Sequence, residues 1–202
     1  MNLGLGTLTE LKLWLLAEEL RTETAWDAQI AAIGTGVALA FEKFCNRKFE
    51  RVVGAQVDFS GDRVHFVLPR YPIEAVTAVE LRESFTGSWT DASGYMDQFS
   101  ALSGLVCFAA EPGSRQSRVR ITWTGGYWFD STEDFSGIKP AGAEQVPADL
   151  KLAWLQHCRT VWGKFPKLGT PINITQSAAL VTMNFSPEVS DTLLSYRRIQ
   201  LS

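Results

Sequence analysis

The chain has 202 residues, a formal net charge of −3 and 46% hydrophobic residues. This length supports one globular domain with a real core and is too short for two full-sized domains. The slightly acidic balance argues against broad electrostatic capture of nucleic acid, which needs a clustered basic surface.

Two helices are predicted at the start of the chain. Thr7-Leu8-Thr9-Glu10 matches a capping box and predicts a helix over residues 8–20, with Leu8, Leu11, Trp14 and Leu15 on its buried side. A second helix is predicted over residues 25–45 and ends at Asn46. Its apolar stripe consists of Trp26, Ile30, Ile33, Val37, Phe41 and Phe44. A separate line of small residues, Ala28, Ala32 and Gly36, indicates either close packing against the first or last helix or a helix–helix contact between subunits.

From residue 49 to residue 124 the pattern alternates with the period of a β-strand. The clearest case is Arg118–Thr124, in which Val119, Ile121 and Trp123 alternate with polar residues. Gly125-Gly126 is expected to end this strand. The β region therefore predicts an antiparallel sheet or small barrel, and the helix–helix–sheet–helix order predicts an α+β fold.

An acidic loop over residues 130–144 precedes a helix predicted over residues 147–165, with Pro147 in the first helical position. One face of this helix carries Leu150, Trp154, Cys158, Val161 and Phe165, and a second strip carries Ala148, Leu152, Leu155 and Trp162. Either the helix is central to a single fold, or its second strip packs on another chain.

The remaining residues, 166–202, are predicted to form a C-terminal arm outside a single domain of residues 1–165. The arm carries apolar residues without a clear period over 166–186. Ser186-Pro187-Glu188 then predicts a short terminal helix with Val189, Leu193 and Tyr196 along one side.

The sequence offers little for catalysis. His157 and Cys158 are adjacent on a helix, where side chains point about 100° apart, so they make a poor base–nucleophile pair. His65 has no set of metal ligands at suitable spacing, and we expect no cofactor and no metal. The three cysteines, Cys45, Cys107 and Cys158, indicate reduced intracellular thiols, and we expect neither a signal peptide nor a membrane span.

Taken in order, several segments resemble the head–tail connector (adaptor, or head-completion) proteins of tailed bacteriophages. The segments are Leu8–Lys12, Phe41–Phe49, Leu68–Ile73, Val76–Val79, Trp89–Tyr95, Ile121–Tyr127, Val146–Ala153, Pro187–Val189 and Leu193–Arg197. The resemblance covers most of the chain, whereas the acidic loop and the long arm depart from the family pattern.

The resemblance implies a structural virion protein, made in the host cytoplasm, that forms a ring of usually twelve copies in the phage neck. Its partners would be the portal protein and further neck or tail proteins, with DNA passing through the lumen without sequence-specific binding and with no membrane. The residues predicted to bind partners are Leu152, Leu155, Trp162, Val189, Leu193, Leu194, Tyr196 and Arg197. The alternatives are a tail-completion or tail-terminator protein and a small enzyme acting on cell wall or nucleic acid.

Overall fold

The computed structural model describes residues 1–132, 136–164 and 184–198 and confirms an α+β fold. The described residues form two compact units. Unit 1 comprises those within Met1–Arg47, Trp128–Pro140 and Gln145–Arg197, and unit 2 comprises those within Lys48–Tyr127 and Ala141–Glu144 together with Arg198. The division into a domain of residues 1–165 and an arm of residues 166–202 stays a prediction, and the described terminal helix falls within unit 1.

The first helix of unit 1, α1 (Leu8–Leu15), begins at the predicted capping box. The Thr7 hydroxyl accepts from the Glu10 amide at 3.2 Å, and the Glu10 carboxylate accepts from the Thr7 amide at 3.0 Å. The predicted extension to residue 20 is wrong: Leu16 is extended, and only a short 3-10 helix follows at Glu18–Leu20. Lys12 Nζ donates to the Glu23 carbonyl at 2.7 Å, and a continuous helix would carry the chain away from this contact.

The second helix, α2 (Asp27–Cys45), is the central helix of unit 1. Asn46 ends it in the left-handed conformation with φ 50°, as predicted. Its fully buried residues include Ile30, Ile33, Val37 and Phe41. Among the described helices, α2 has the length and apolar composition of a membrane span. Its apolar stripe is accounted for by burial within unit 1.

Two further helices complete unit 1, α3 (Ala148–Trp162) and α4 (Pro187–Ser195). Pro147 was predicted as the first helical residue of α3 but is its N-cap, so the helix begins one residue later, at Ala148. Ser186 caps α4 by accepting from the Val189 amide at 3.4 Å. Phe165 and residues 166–183 of the predicted arm lie outside the described residues.

Unit 2 carries the predicted antiparallel strands. They are β1 (Val52–Ser60), β2 (His65–Val67), β3 (Ile73–Arg82), β4 (Thr90–Asp91), β5 (Met96–Ser100), β6 (Leu105–Phe108) and β7 (Arg118–Gly125). They form a four-stranded sheet of order β1-β7-β3-β4 and a three-stranded sheet of order β2-β6-β5. Two-residue strands β8 (Tyr127–Trp128) and β9 (Glu144–Gln145) pair with each other.

The two larger sheets share one apolar core, to which both contribute inward-facing residues. Val119, Ile121 and Trp123 of β7 are buried as the alternation predicted, and Phe66 and Val106 from the smaller sheet lie in the same cluster. Gly126 has φ 100°, and a Cβ there would clash with the Glu50 carbonyl, so this position requires glycine.

The acidic loop is partly described. The Asp130 carboxylate accepts from the amides of Thr132 at 2.9 Å and Gly137 at 2.7 Å, which closes a local turn. Glu133 and Asp134, two of its predicted acidic residues, lie outside the described residues, and β9 begins at Glu144.

Candidate partner-binding surfaces

The buried thiols and the buried histidine of unit 1 are core groups. Burial raises the pKa of the Cys45 thiol to about 12 and raises that of Cys158 further, so both stay protonated at neutral pH. The His157 ring lies 5.0 Å from the Phe185 ring and 6.1 Å from the Phe41 ring, measured between centroids. Its Nε2 has no hydrogen-bond partner among the described residues. Over the same residues, no group of three or more His, Cys, Asp or Glu side chains lies together as a metal site would require.

The two apolar strips of α3 have different surroundings. Leu150, Trp154, Cys158 and Val161 are buried, as is His157 between them, which the sequence did not predict. On the second strip Leu152 is 44% exposed, Ala148 is exposed and Leu155 is half-buried. The second strip therefore remains largely in contact with solvent in the isolated chain.

Trp162 lies at the far end of that strip and has a partner within unit 1. Its ring packs edge-on against Trp26, with 6.4 Å between centroids and an interplanar angle of 82°. Trp162 is half-buried by this contact. The exposed part of the strip therefore centres on Leu152 rather than on Trp162.

The other predicted partner-binding residues lie on the terminal helix α4 or just beyond it, and some are buried whereas others are exposed. Val189 and Leu193 are 2% and 0% exposed, so they hold α4 in unit 1 and are not available to a partner while α4 is packed there. The Leu193 carbonyl accepts from the Cys45 thiol at 3.4 Å. Leu194 is 52% exposed, and the Tyr196 hydroxyl donates to the Asp149 carboxylate at 2.7 Å. Arg197 is exposed just beyond the helix.

Close helix packing in unit 1 occurs at Gly34 and not at the predicted line of small residues. A Cβ at Gly34 would lie 2.6 Å from Leu11 Cδ1 and 2.8 Å from Leu3 Cδ1. Trp154 Nε1 donates to the Gly34 carbonyl at 3.0 Å. Ala28 is exposed, Ala32 and Gly36 are half-buried, and Leu39 on the same open side is 54% exposed. This side of α2 is thus a second surface open to a partner.

In unit 2 the outer face of the four-stranded sheet carries arginines and aromatic rings. Arg118 of β7 lies directly opposite Arg82 of β3. Arg120 forms a two-pronged ion pair with Asp58, at 2.8 and 3.1 Å, and its Cζ lies 4.1 Å from the ring centre of Trp89. The alternation over Arg118–Thr124 puts Arg118 and Arg120 on one face, but it does not predict that Arg82 and Trp89 lie beside them, because only the strand register brings these residues together.

Comparison with known proteins finds solved structures of similar fold but no similar sequence. No protein-family model and no curated protein sequence matches the chain. Solved structures similar in fold include a chain from the neck of an empty gene transfer agent (GTA) particle computed with C6 symmetry. That match has a TM-score of 0.59 and 16% identity and covers 96% of this chain and 90% of the other. A chain from the virion of a native GTA particle matches with a TM-score of 0.56 and 15% identity, covering 96% of this chain and 90% of that one.

A third similar chain comes from the neck of a native GTA particle computed with C12 symmetry. Its TM-score is 0.51 at 16% identity, and the match covers 95% of this chain and 92% of the other. At these identities the matches establish a shared fold over nearly the whole length of each chain.

Proposed function

We propose that this chain is a structural protein of the neck of a tailed phage or phage-like particle, where it forms a ring adaptor between portal and tail. The observation that carries the proposal is the fold match with neck proteins, because it spans 96% of this chain and 90% of the matched one. A shared fold alone does not imply a shared function. The proposal therefore also rests on the surfaces described above and on the resemblance of the ordered sequence segments to head–tail connectors.

The proposed assembly is a ring of twelve copies. Two of the matched neck structures were computed with C6 and C12 symmetry, and both symmetries are compatible with twelve copies. A closed head-to-tail ring uses two different surfaces of each subunit. We assign exposed Leu152 on α3 and exposed Leu39 on α2, both in unit 1, to these two surfaces.

The proposed partners are the portal protein, further neck or tail proteins, and DNA that passes through the ring. Leu194 and Arg197 at the end of α4 are the exposed residues that we assign to the portal contact. The net charge of −3 suits a conduit, since a strongly basic lumen would retain the DNA electrostatically. The proposed location is the virion, after synthesis in the host cytoplasm, and the proposed role is not enzymatic.

The experiment that tests this function is the mass of the purified chain in solution, alone and with portal, by sedimentation velocity. We expect a large uniform oligomer that binds portal, and a chain that stays monomeric and ignores portal would refute the proposal. Binding to tail tube instead of portal would favour a tail-completion or tail-terminator protein.

The portal assignment has a separate test in Leu194→Asp and Arg197→Glu. Both residues are solvent-facing, so these changes leave the buried α4 residues Val189 and Leu193 in place. We expect weaker portal binding with an unchanged ring. Deleting the residues after Pro187 should weaken portal attachment as well, and unchanged head completion by that truncation would contradict the role of α4.

A further inference from the structure

The outer face of the four-stranded sheet in unit 2 contains two arginines directly opposite each other. Arg82 and Arg118 are Cα partners on neighbouring antiparallel strands. Neither forms an ion pair with another described residue, and the buried Nε of Arg82 has no hydrogen-bond partner among them. Like charges in this position destabilise a sheet. An oxyanion bound at this pair would remove that cost.

Exposed aromatic surface adjoins this pair. Phe85, in the loop between β3 and β4, is 87% exposed. The Arg82 guanidinium carbon lies 5.6 Å from the centre of the Phe85 ring and 4.7 Å from that of Trp89. Aromatic rings and arginines are the residue types that contribute most to protein–protein contacts. We call Arg82, Phe85, Trp89 and Arg118 the arginine–aromatic patch.

The charges around the patch favour a protein over nucleic acid as its partner. Arg120 is already paired with Asp58, Glu80 lies opposite Arg120, and Asp91 lies opposite Glu80. These carboxylates interrupt any continuous basic stripe, which a phosphate backbone would need. The patch instead suits an isolated carboxylate beside an apolar contact.

Unit 1 of the same chain carries a surface with that chemistry. Leu13 and Trp14, at the end of α1, are 47% and 41% exposed. Glu18 and Glu19 follow in the short 3-10 helix, are exposed, and form no ion pair with a described residue. Arg21 lies beside this acidic–apolar patch and donates to the Leu13 carbonyl at 3.3 Å.

We propose that the arginine–aromatic patch of one copy binds the acidic–apolar patch, Leu13, Trp14, Glu18 and Glu19, of a second copy. The two surfaces are opposite in charge, and each adds exposed apolar area that association would bury. Because they are different surfaces, the contact is heterologous, as a closed ring requires. This inference rests on the proposed ring and names one contact that builds it.

The test is a charge swap followed by sedimentation velocity on the full chain. Arg118→Glu places a carboxylate opposite Arg82, so the melting temperature should stay the same or rise while the concentration needed for assembly rises roughly tenfold. The double variant Glu18→Arg, Glu19→Arg should lose assembly similarly. An equimolar mixture of the two variants should regain much of it, since half the contacts in an alternating ring are then unchanged and the other half place the new carboxylate against the new arginines. Lys164→Glu, an exposed charge reversal just after α3 and on neither patch, is the matched control and should assemble like the unchanged chain.

The outcomes separate this inference from the proposed function. If the unchanged chain forms a ring and Arg118→Glu assembles like Lys164→Glu, the inference fails and the ring proposal stands. If the two variants fail alone and also fail when mixed, the pairing of these two patches is wrong. If Arg118→Glu assembles normally but loses binding to a duplex DNA probe at low salt, the patch binds nucleic acid and the inference is overturned. A chain that stays monomeric, alone and with portal, refutes both the pairing of the two patches and the proposed ring.

Discussion

Replacing Leu152 by aspartate separates the contribution of α3 to folding from its contribution to assembly. Leu152 is 44% exposed, so the fold loses only part of the roughly 1.5–3 kcal/mol that a fully buried leucine contributes. With about 0.5 kcal/mol for the lower helix propensity of aspartate, we expect a loss of about 2 kcal/mol in the free energy of unfolding. At a subunit contact the new carboxylate would be buried without a partner, which costs about 3 kcal/mol and weakens assembly about a hundredfold.

The assay pairs urea unfolding of dilute chain with sedimentation velocity over a range of concentrations. Thr160→Asp, at an exposed polar position of the same helix farther from the second strip, is the matched control. It should lose about 0.5 kcal/mol of stability, because a carboxylate near a helix C-terminus is unfavourable, without affecting assembly. Val161→Asp buries a carboxylate at a residue that is 1% exposed and should prevent folding altogether. If Leu152→Asp assembles at the same concentration as Thr160→Asp, the second strip of α3 does not contact a partner.

Three further variants test the packing of unit 1. Trp162→Ala removes the edge-on contact with Trp26 and should lower the free energy of unfolding by about 2–3 kcal/mol in urea titrations. An unchanged free energy of unfolding would mean that Trp162 contributes to a subunit contact and not to the fold. Leu193→Ala should cost about 2–5 kcal/mol and speed amide exchange in α4; exchange at the original rate would show that α4 is held by other residues. Burial, and secondarily the charge of Lys164, lowers the pKa of His157 below its ordinary value of 6.5. The unfolded chain therefore binds a proton below about pH 6.5 that the folded chain does not, so stability falls as the pH drops through that range. His157→Phe should reduce the difference between the free energies of unfolding measured at about pH 7 and about pH 5. An unchanged difference would mean that another group causes the pH dependence.

Local signals in the sequence predicted the elements and most of the buried faces. The Thr7–Glu10 capping box, the Asn46 helix end and the alternation over Arg118–Thr124 each act within a few residues, and all three are present in the structure. The predictions failed where a distant contact competes with a local preference. The first helix stops at Leu15 although its helical pattern continues, and Trp14, which was predicted on the buried side, is 41% exposed.

Some of the predicted partner-binding residues are buried and others are exposed, because distant contacts decide their surroundings as well. Their apolar character predicts that they pack against something, but periodicity does not distinguish a neighbouring helix from a neighbouring chain. Trp162 packs against Trp26, and Val189 and Leu193 are buried in unit 1, whereas Leu152 and Leu194 stay exposed. The partner-binding role of the exposed residues stays a prediction.

The sequence by itself determined the α+β class, the helix caps and the inward-facing residues of the strands, because these depend on backbone and side-chain preferences over one or two turns of chain. Only the tertiary structure decided which apolar strips remain open to a partner and which charges face each other. Arg82 and Arg118 meet through strand register, and Leu11 and Trp154 meet at Gly34 through helix packing. Such contacts join residues that are far apart in the chain, and no local pattern specifies them.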